Sequence, residues 1–504
     1  MAAKAQPLRL LEKQSELEPI PLEERRTDEL VIGMVGPVAS GVSFCADIIA
    51  DMLKTEFNYH GGTIIKVSKL INDNATKVGA SPSHEDDKNR TKNLQLVGSK
   101  LRATFGAHYL AEKCVEQISM NRGDPKAPSA PRRIFTIIDS LKNPDEIQLL
   151  QDVYGENFWL FGIFAPDPIR KSRLHALGFD PVYAVEIIER DQDEGIRHGQ
   201  QVRETMQLSD FFIRNDTQNS SKLRTTVERF LEIIFGTQVH TPTHDEEAMF
   251  AATSAAASSA CLSRQVGAVI MTSAGDIIGR GMNDVPRFGG GLYTAADKED
   301  DHRCYKWRTG ICHNDERKRK LLDQSLIALK ASKSLKAGKD TEAAAALRGT
   351  NVRNLIEFSR SIHAEMEAII SIARSGKQGM VGSTLYTTTF PCHSCARHIV
   401  ASGINRVIYV EPYTKSLALD LHEDAISIDE SDSNKVRFLQ YEGVASRNMV
   451  RLFKDRGSRK KNGKVDLPPK ATAHPATRGP LDGLAAREHI VVVQLRQRES
   501  KDVT

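Results

Sequence analysis

Residues 361–398 read SIHAEMEAIISIARSGKQGMVGSTLYTTTFPCHSCARH. One imidazole, His363, and two thiols, Cys392 and Cys395, make three ligands for a tetrahedral zinc and leave the fourth position to water. That is the pattern of a catalytic rather than a structural zinc. Glu365, two residues past the histidine, is placed to reach that water without ligating the metal. Ala364, Ala368, Ile369 and Ile372 recur at helical spacing, so His363-Ala364-Glu365 opens a helix. Gly376 and Gly379 end it, and STLYTTTF alternates like a strand. Pro391 suits the start of a second helix, because a first-turn residue needs no N–H. Cys392 and Cys395 then fall on that helix's first turn, where the positive end of the dipole favours thiolate. The plainer alternative is a Cys-x-x-Cys redox pair beside an unrelated histidine, which gives Glu365 and the intervening strand no role.

At 504 residues the chain exceeds the ~250–300 residues at which single cores stop growing, so two or more domains are expected. A net charge of +4 is too small to argue for nucleic acid, though it does not exclude it. Seven cysteines are an odd number for a disulfide framework, and two are assigned to metal, which favours a reducing cytoplasm. No run approaches the ~20 apolar residues of a membrane span, and the first residues lack a secretory pattern. The expectation is a cytoplasmic protein with no membrane partner.

Residues 1–27, charged and proline-containing, read as a mobile arm. ELVIGMVGPVASGVSFCADIIADMLKTEF (29–57) reads as strand, glycine turn, helix. Gly36 to Ser43 follows the phosphate-loop pattern G-x-x-x-x-G-K-[ST], except that Val42 stands where lysine belongs. Gly36, Gly41 and Ser43 are thus candidates to cradle a nucleotide's phosphates and its Mg2+ at a helix N-terminus, without the point charge that phosphoryl transfer needs. RRIFTIIDSLKNPDEIQLL (132–150) gives a second buried strand carrying Asp139, a candidate metal ligand. NFWLFGIFA (157–165), SDFFIRND (209–216) and TTVERFLEIIFG (225–236) continue the alternation of strand and helix, which implies a parallel α/β sheet. This stretch, 28–240, resembles the nucleoside and nucleotide kinase branch of P-loop proteins. The resemblance places a lid at ERDQDEGIRHGQQVRET (189–205), with Arg190, Arg197 and Arg203 either meeting phosphates or forming a solvated face. Without the lysine the domain reads as a nucleotide sensor or a scaffold rather than a kinase.

TPTHDEEAM (241–249) reads as a joint, and a new fold starts there. DEEAMFAATSAAASSACLS is an alanine-rich helix, QVGAVIMTSAGDIIGRGMNDVP a hairpin, and RVIYVEP a strand after the zinc motif. H-x-E with a later P-C-x-x-C is the signature of zinc nucleobase deaminases. Residues 246–455 resemble the deoxycytidylate deaminase family in VGAVI, GRGMNDVPRFGGG, HAEMEAI, PCHSCA and INRVIYVEPY. The resemblance implies a cytidine-deaminase-like α/β/α sandwich over 241–455, with His363, Cys392 and Cys395 on the zinc. It makes Glu365 the acid–base that carries a water proton to N3 of cytosine and then to the leaving amine, and Asn283 a contact to the sugar. Relatives often have asparagine where this chain has Glu367, which puts phosphate number and sugar preference in doubt.

The full-length arrangement is similar to bacterial anti-phage dCTP/dCMP deaminases. It implies a deoxycytidine nucleotide substrate, a homo-oligomer, and restraint by a regulatory nucleotide at the phosphate loop, gating through 241–249, or by an inhibitory RNA or protein partner. Within the insertion at about 290–358, His302, Cys304, Cys312 and His313 either hold a second, structural zinc or are ordinary loop residues, the spacing being non-standard. Past 455 the chain is basic and rich in proline and glycine, which reads as a flexible tail (456–504). Within it Arg459-Lys460-Lys461 either touches RNA or is solvated, and EHIVVVQLR reads as a terminal strand. Two other function classes stay open: a polynucleotide or tRNA editing deaminase, and a non-enzymatic nucleotide-sensing regulator. Editing needs a basic channel and stacking aromatics, and aromatics are 6% of this chain.

Overall fold

The computed structural model describes residues 25–501 apart from 85–88, 123–132, 193, 217–219, 337, 351, 353–354, 356–357, 414, 456 and 458. The arm expected at 1–27 lies outside the described residues up to 24. The chain divides into two compact units, Met1–His240 with Lys454–Thr504, and Thr241–Phe453.

In the first unit the strands β1 (Leu30–Val35), β2 (Gly61–Lys66), β3 (Ile134–Leu141), β4 (Phe158–Phe164) and β5 (Phe211–Arg214) run in the order β5-β4-β1-β3-β2. Every neighbouring pair among them is parallel. β1 and β4 are buried along their whole length, as strands covered by helices on both faces must be, and hence read as unbroken apolar runs. The helix α1 (Val42–Thr55) leaves central β1 through the glycine loop. Helices α2 (Tyr109–Arg122), α3 (Pro144–Tyr154) and α4 (Pro181–Gln192) follow. α3 starts sharply because Asn143 and Glu146 cap each other's backbone and Pro144 opens the first turn. This is a P-loop kinase-like sheet.

The second unit begins with α5 (His244–Ala256), set by the reciprocal Thr243–Glu246 capping box. The hairpin β6 (Gly267–Met271) and β7 (Ile277–Met282) follows. Next come α6 (Ala364–Ser375), β8 (Thr384–Thr389), α7 (His393–Ala401), β9 (Arg406–Glu411), β10 (Ile426–Ser427) and β11 (Val436–Gln440). The sheet order is β10-β11-β9-β8-β6-β7, with β6 antiparallel to both neighbours and the rest parallel. Glycines decide how closely the helices approach it. A Cβ on Gly267 would lie 1.9 Å from the Ala252 carbonyl oxygen of α5, and one on Gly281 2.1 Å from the Ala364 carbonyl oxygen of α6. The small side chains bring helix backbone against strand backbone, and α6 carries the zinc motif on that contact.

Beyond Phe453 the structure corrects two expectations. EHIVVVQLR is not a strand but part of a helix, α8 (Leu481–Lys501). Leu484, Glu488, Val491 and Leu495 are its buried residues, a stripe of period 3.6 that the short valine run hides. Nor do the described residues of 456–504 form a loose tail, since several basic residues among them meet acids of the first unit. Lys470 pairs with Glu56 at 3.0 Å, with Glu232 at 3.1 Å and with Glu228 at 2.5 Å. Asp28, fully buried, accepts from His474 at 2.6 Å and Arg478 at 3.1 Å. The α8 segment packs on α2 and α3, and Leu481 N donates to the Arg25 carbonyl at 2.9 Å. Lys460 and Lys461 lie exposed in a small antiparallel turn. No helix among the described residues is long and apolar enough to cross a membrane.

Candidate active site

The zinc motif is assembled at two helix starts. His363 is the N-cap of α6, in extended backbone, and Glu365 lies in the first turn. Ile362 N donates to the Asp284 carbonyl at 3.0 Å, which fixes the entry into that cap. Cys392 is the N-cap of α7 and Cys395 sits one turn in. Pro391 therefore stands one place outside the cap rather than in the first turn, because the Cys392 sulfur itself accepts from the Cys395 N–H at 3.4 Å. The Nδ1 of His363 lies 3.4 Å from the Cys392 sulfur and 3.3 Å from the Cys395 sulfur. The ligand atoms of the three residues fall within 4.8 Å of one another.

This donor set suits zinc: two sulfurs and one imidazole nitrogen converging from helix N-termini that favour thiolate. Hydrogen bonding from Cys395, and then from His363, drives the Cys392 thiol down to about 4, while Cys395 is pushed up. His363 is raised to about 9 by its bond to Cys392. The three share protons that a divalent cation replaces, so metal uptake releases protons. Glu365, 4% exposed, has a carboxyl raised by burial, and its Oε2 lies 3.5 Å from the Cys395 sulfur.

His363, Glu365 and Cys392 line a cavity of about 310 Å³ together with Phe390, Tyr413, Arg264 and Arg360. The sequence reading missed these last four. Arg360, three places ahead of His363, stacks on Trp307 with its guanidinium carbon 3.8 Å from the ring centroid. Arg264 pairs with Glu411 at 2.9 Å. A charge flanking each motif stretch was the signal available. Asn283 also lines the cavity, yet its Oδ1 accepts from Val266 N at 2.6 Å and its Nδ2 donates to the Arg264 carbonyl at 2.7 Å. It thereby holds the segment that presents Arg264. Glu367 is buried and bound to Arg374 at 2.9 Å, and is not among the residues lining the cavity.

His302, Cys304, Cys312 and His313 are not gathered into a ligand set among the described residues. His302 Nδ1 meets the Tyr293 hydroxyl at 3.2 Å, and the Cys312 sulfur meets Ser263 at 3.5 Å. His313 opens the helix His313–Ala331 beside Glu316. Cys304, Cys312 and His313 instead line the same cavity as His363 and Glu365.

In the first unit Gly36 and Gly41 bracket the phosphate-type loop. A Cβ on Gly36 would meet the Ile163 carbonyl at 2.3 Å, and one on Gly41 the Asn215 amide nitrogen at 2.1 Å, with φ at +87°. Only glycine fits either place. Ser43 Oγ donates to Asp139 Oδ2 at 2.6 Å, which brings the two residues expected to hold Mg2+ together. Of the lid arginines, Arg190 pairs with Glu194 and Arg197 is 81% exposed beside Asp145.

A histidine and two cysteines at the starts of two helices, carried on one mixed sheet, define a cytidine-deaminase-like fold and site. Residues 242–411 match the cytidine and deoxycytidylate deaminase zinc-binding region. The deoxycytidylate deaminase of Enterobacteria phage T2 is 46% identical over 55 residues, 11% of this chain and 29% of that enzyme. The match therefore spans less than a third of the phage enzyme's length. A UPF0200 protein of Methanosarcina barkeri is 25% identical over 188 residues, 37% of this chain and 87% of its own length, over the N-terminal region. The solved apo structure of the dCMP deaminase from cyanophage S-TIM5 aligns with 40% of this chain and 100% of its own at 18% identity and a TM-score of 0.23.

Proposed function

We propose that the second unit hydrolytically deaminates free deoxycytidine nucleotides, dCTP or dCMP, to the deoxyuridine nucleotide and ammonia. The observation that carries this reading is the buried Glu365 carboxyl beside the converged His363, Cys392 and Cys395, with Glu365, His363 and Cys392 lining one cavity of about 310 Å³. Bound to those three residues, zinc supplies a water that ionises near neutrality. With that water's oxygen added to C4 of the cytosine, Glu365 would pass one of its protons to N3 and then the second, from the new C4 hydroxyl, to the amine, which would leave as ammonia as the C4–N bond breaks. Phe390 and Tyr413 line the cavity and suit the base, and Arg264 and Arg360 line it with guanidiniums that suit phosphate. Asn283 acts here as a positioning residue for Arg264, with a sugar contact open to its remaining lone pair and N–H.

Incubating the protein with deoxycytidine mono-, di- and triphosphate, deoxycytidine and a cytosine oligonucleotide, then resolving products, tests the reading. Conversion of a free nucleotide is expected. Conversion of the oligonucleotide alone overturns it in favour of editing. Arg360→Ala is expected to raise KM for the nucleotide roughly 10-fold, by loss of one charge-assisted contact, while KM for deoxycytidine moves little. An equal change for both substrates removes the phosphate role. Cys395→Ser should lower zinc from one per chain to a small fraction, since a buried hydroxyl replaces a thiolate ligand; stoichiometric zinc in that variant refutes the ligand assignment.

The first unit is read as a nucleotide-binding regulator, its phosphates on the 36–43 loop and a magnesium ion between Ser43 and Asp139. Lowering the deoxycytidine nucleotide pool starves phage replication, and that cost to the cell itself calls for such restraint. Phage plating on cells carrying the wild type or a Glu365 variant tests the defence role.

A further inference from the structure

The first unit lacks the lysine that a phosphate loop normally carries, and an ammonium from elsewhere stands at the loop. Lys142, just past β3, places Nζ 2.7 Å from the carbonyl of Gly36, the loop's first residue. It arrives there through a bulge: β3 slips one residue against β1 between Asp139 and Leu141, and the extra residue, Ser140, takes a φ of +89°. A non-glycine residue in that region is strained, and such strain persists where the surroundings over-determine it. The bulge thus delivers both Asp139, onto Ser43, and Lys142, onto Gly36.

Lys142 does not stand alone. The carboxylate of Asp191, on α4 and 2% exposed, lies 3.0 Å from Nζ. Its Oδ2 also accepts from the loop amide of Val38 at 2.7 Å. A lysine ammonium and a loop N–H converging on one anionic oxygen is the donor arrangement of a phosphate site. Arginines close the same loop: Arg170, 1% exposed, and Arg173 donate to the carbonyls of Val38 and Ala39 at 3.4 and 3.1 Å. Two buried polar atoms here, Ser40 Oγ within the loop and Arg170 Nε against it, have no hydrogen-bond partner.

Resting on the reading that this unit binds a nucleotide, we propose that Lys142 replaces the missing loop lysine and that Asp191 holds the place of a nucleotide's terminal phosphate. Binding of a nucleoside di- or triphosphate displaces the Asp191 carboxylate from Lys142 and Val38, and so frees the end of α4 from the loop. Phosphate binding and release of the lid helix become one event. The occupying carboxylate weakens the apparent affinity for nucleotide by the fraction of time it stays in place.

The test uses the full-length protein with Mg2+ and ATP, GTP, dCTP or inorganic tripolyphosphate as probes, followed by calorimetry. Lys142→Ala is expected to weaken binding roughly 10- to 100-fold and Lys142→Arg to restore part of it, as for a charge-assisted contact. Asp191→Asn is expected to act in the opposite direction, tightening binding several-fold, because it removes a competing charge and keeps an acceptor for Val38. A merely structural ion pair would make both substitutions weaken binding or leave it alone, and either result overturns the proposal. Gly41→Val separates the layers. If it abolishes binding while Lys142 and Asp191 variants match the wild type, the nucleotide reading stands and this proposal falls. If neither wild type nor Asp191→Asn binds any probe, both fall.

Discussion

Glu365→Gln should lower kcat for deamination by roughly 10²- to 10⁴-fold, the range a positioned acid–base group contributes, and toward the upper end because one carboxyl serves successive proton transfers. Zinc should remain at one per chain, since Glu365 lies outside the group of converging ligand atoms. The amide is nearly isosteric, and Glu365 is 4% exposed, so no cavity opens and folding is preserved. KM should change much less than kcat, as for an interaction made chiefly in the transition state. The measurements are ammonia release under saturating substrate and metal content by atomic absorption. Ammonia release near the wild-type rate removes Glu365 from the chemistry, and zinc loss in step with activity makes it a ligand instead.

Gly281→Ala should be nearly as damaging without touching any reacting group. The added methyl would sit 2.1 Å from the Ala364 carbonyl oxygen and 2.4 Å from Ala368 N. Backbone cannot swing aside as a side chain does, so α6 must shift as a body, carrying His363 and Glu365 from its first turn. Displacements of about 1 Å cost on the order of 10²-fold in rate, and overpacking of this kind costs about 1–3 kcal/mol in stability. The expected result is a folded protein, less stable to urea, with deamination down about 100-fold. Wild-type activity with an unchanged unfolding midpoint shows instead that β7 yields to the methyl. The neighbouring face makes a control, because Gly289, at φ +86°, has nothing within 4 Å of its would-be Cβ and an alanine there meets strain but no helix.

How much of this the chain discloses depends on how far apart the cooperating residues lie. His363 with Glu365, and Cys392 with Cys395, sit in two short motifs whose spacing is itself chemical, so the zinc set is readable as letters. Gly36, Gly41 and Ser43 are readable for the same reason. The pairing of Lys142 with Gly36 and Asp191 joins residues 106 and 49 places apart, and no local pattern announces it. Arg264 and Arg360 reach the cavity only because β6 and α6 lie side by side. The valine run at 491–493 satisfies strand and helix periods alike, and a window wide enough to include Leu484 and Leu495 is needed to choose. The basic composition after 455 suggests solvation until Asp28, Glu56 and Glu232, all far upstream, are seen to face it. The four His and Cys residues of the insertion show the reverse hazard, ligand types that cluster in sequence without being gathered into a ligand set.

The split of the first unit around the second has a consequence for synthesis. Its strands β1 to β5 are made by Arg214, yet α8 and the strand-like pairing of Arg26 with Pro480 come only after Thr241–Phe453 has been made. At roughly 5–20 residues per second, the ~200 intervening residues occupy on the order of 10–40 s on the ribosome. Through that interval the faces of α2 and α3 that α8 will cover are open to solvent, while Thr241–Phe453 emerges. The second unit of a nascent chain is therefore made before the first is complete, and a stop codon shortly after Phe453 leaves a first unit that lacks α8.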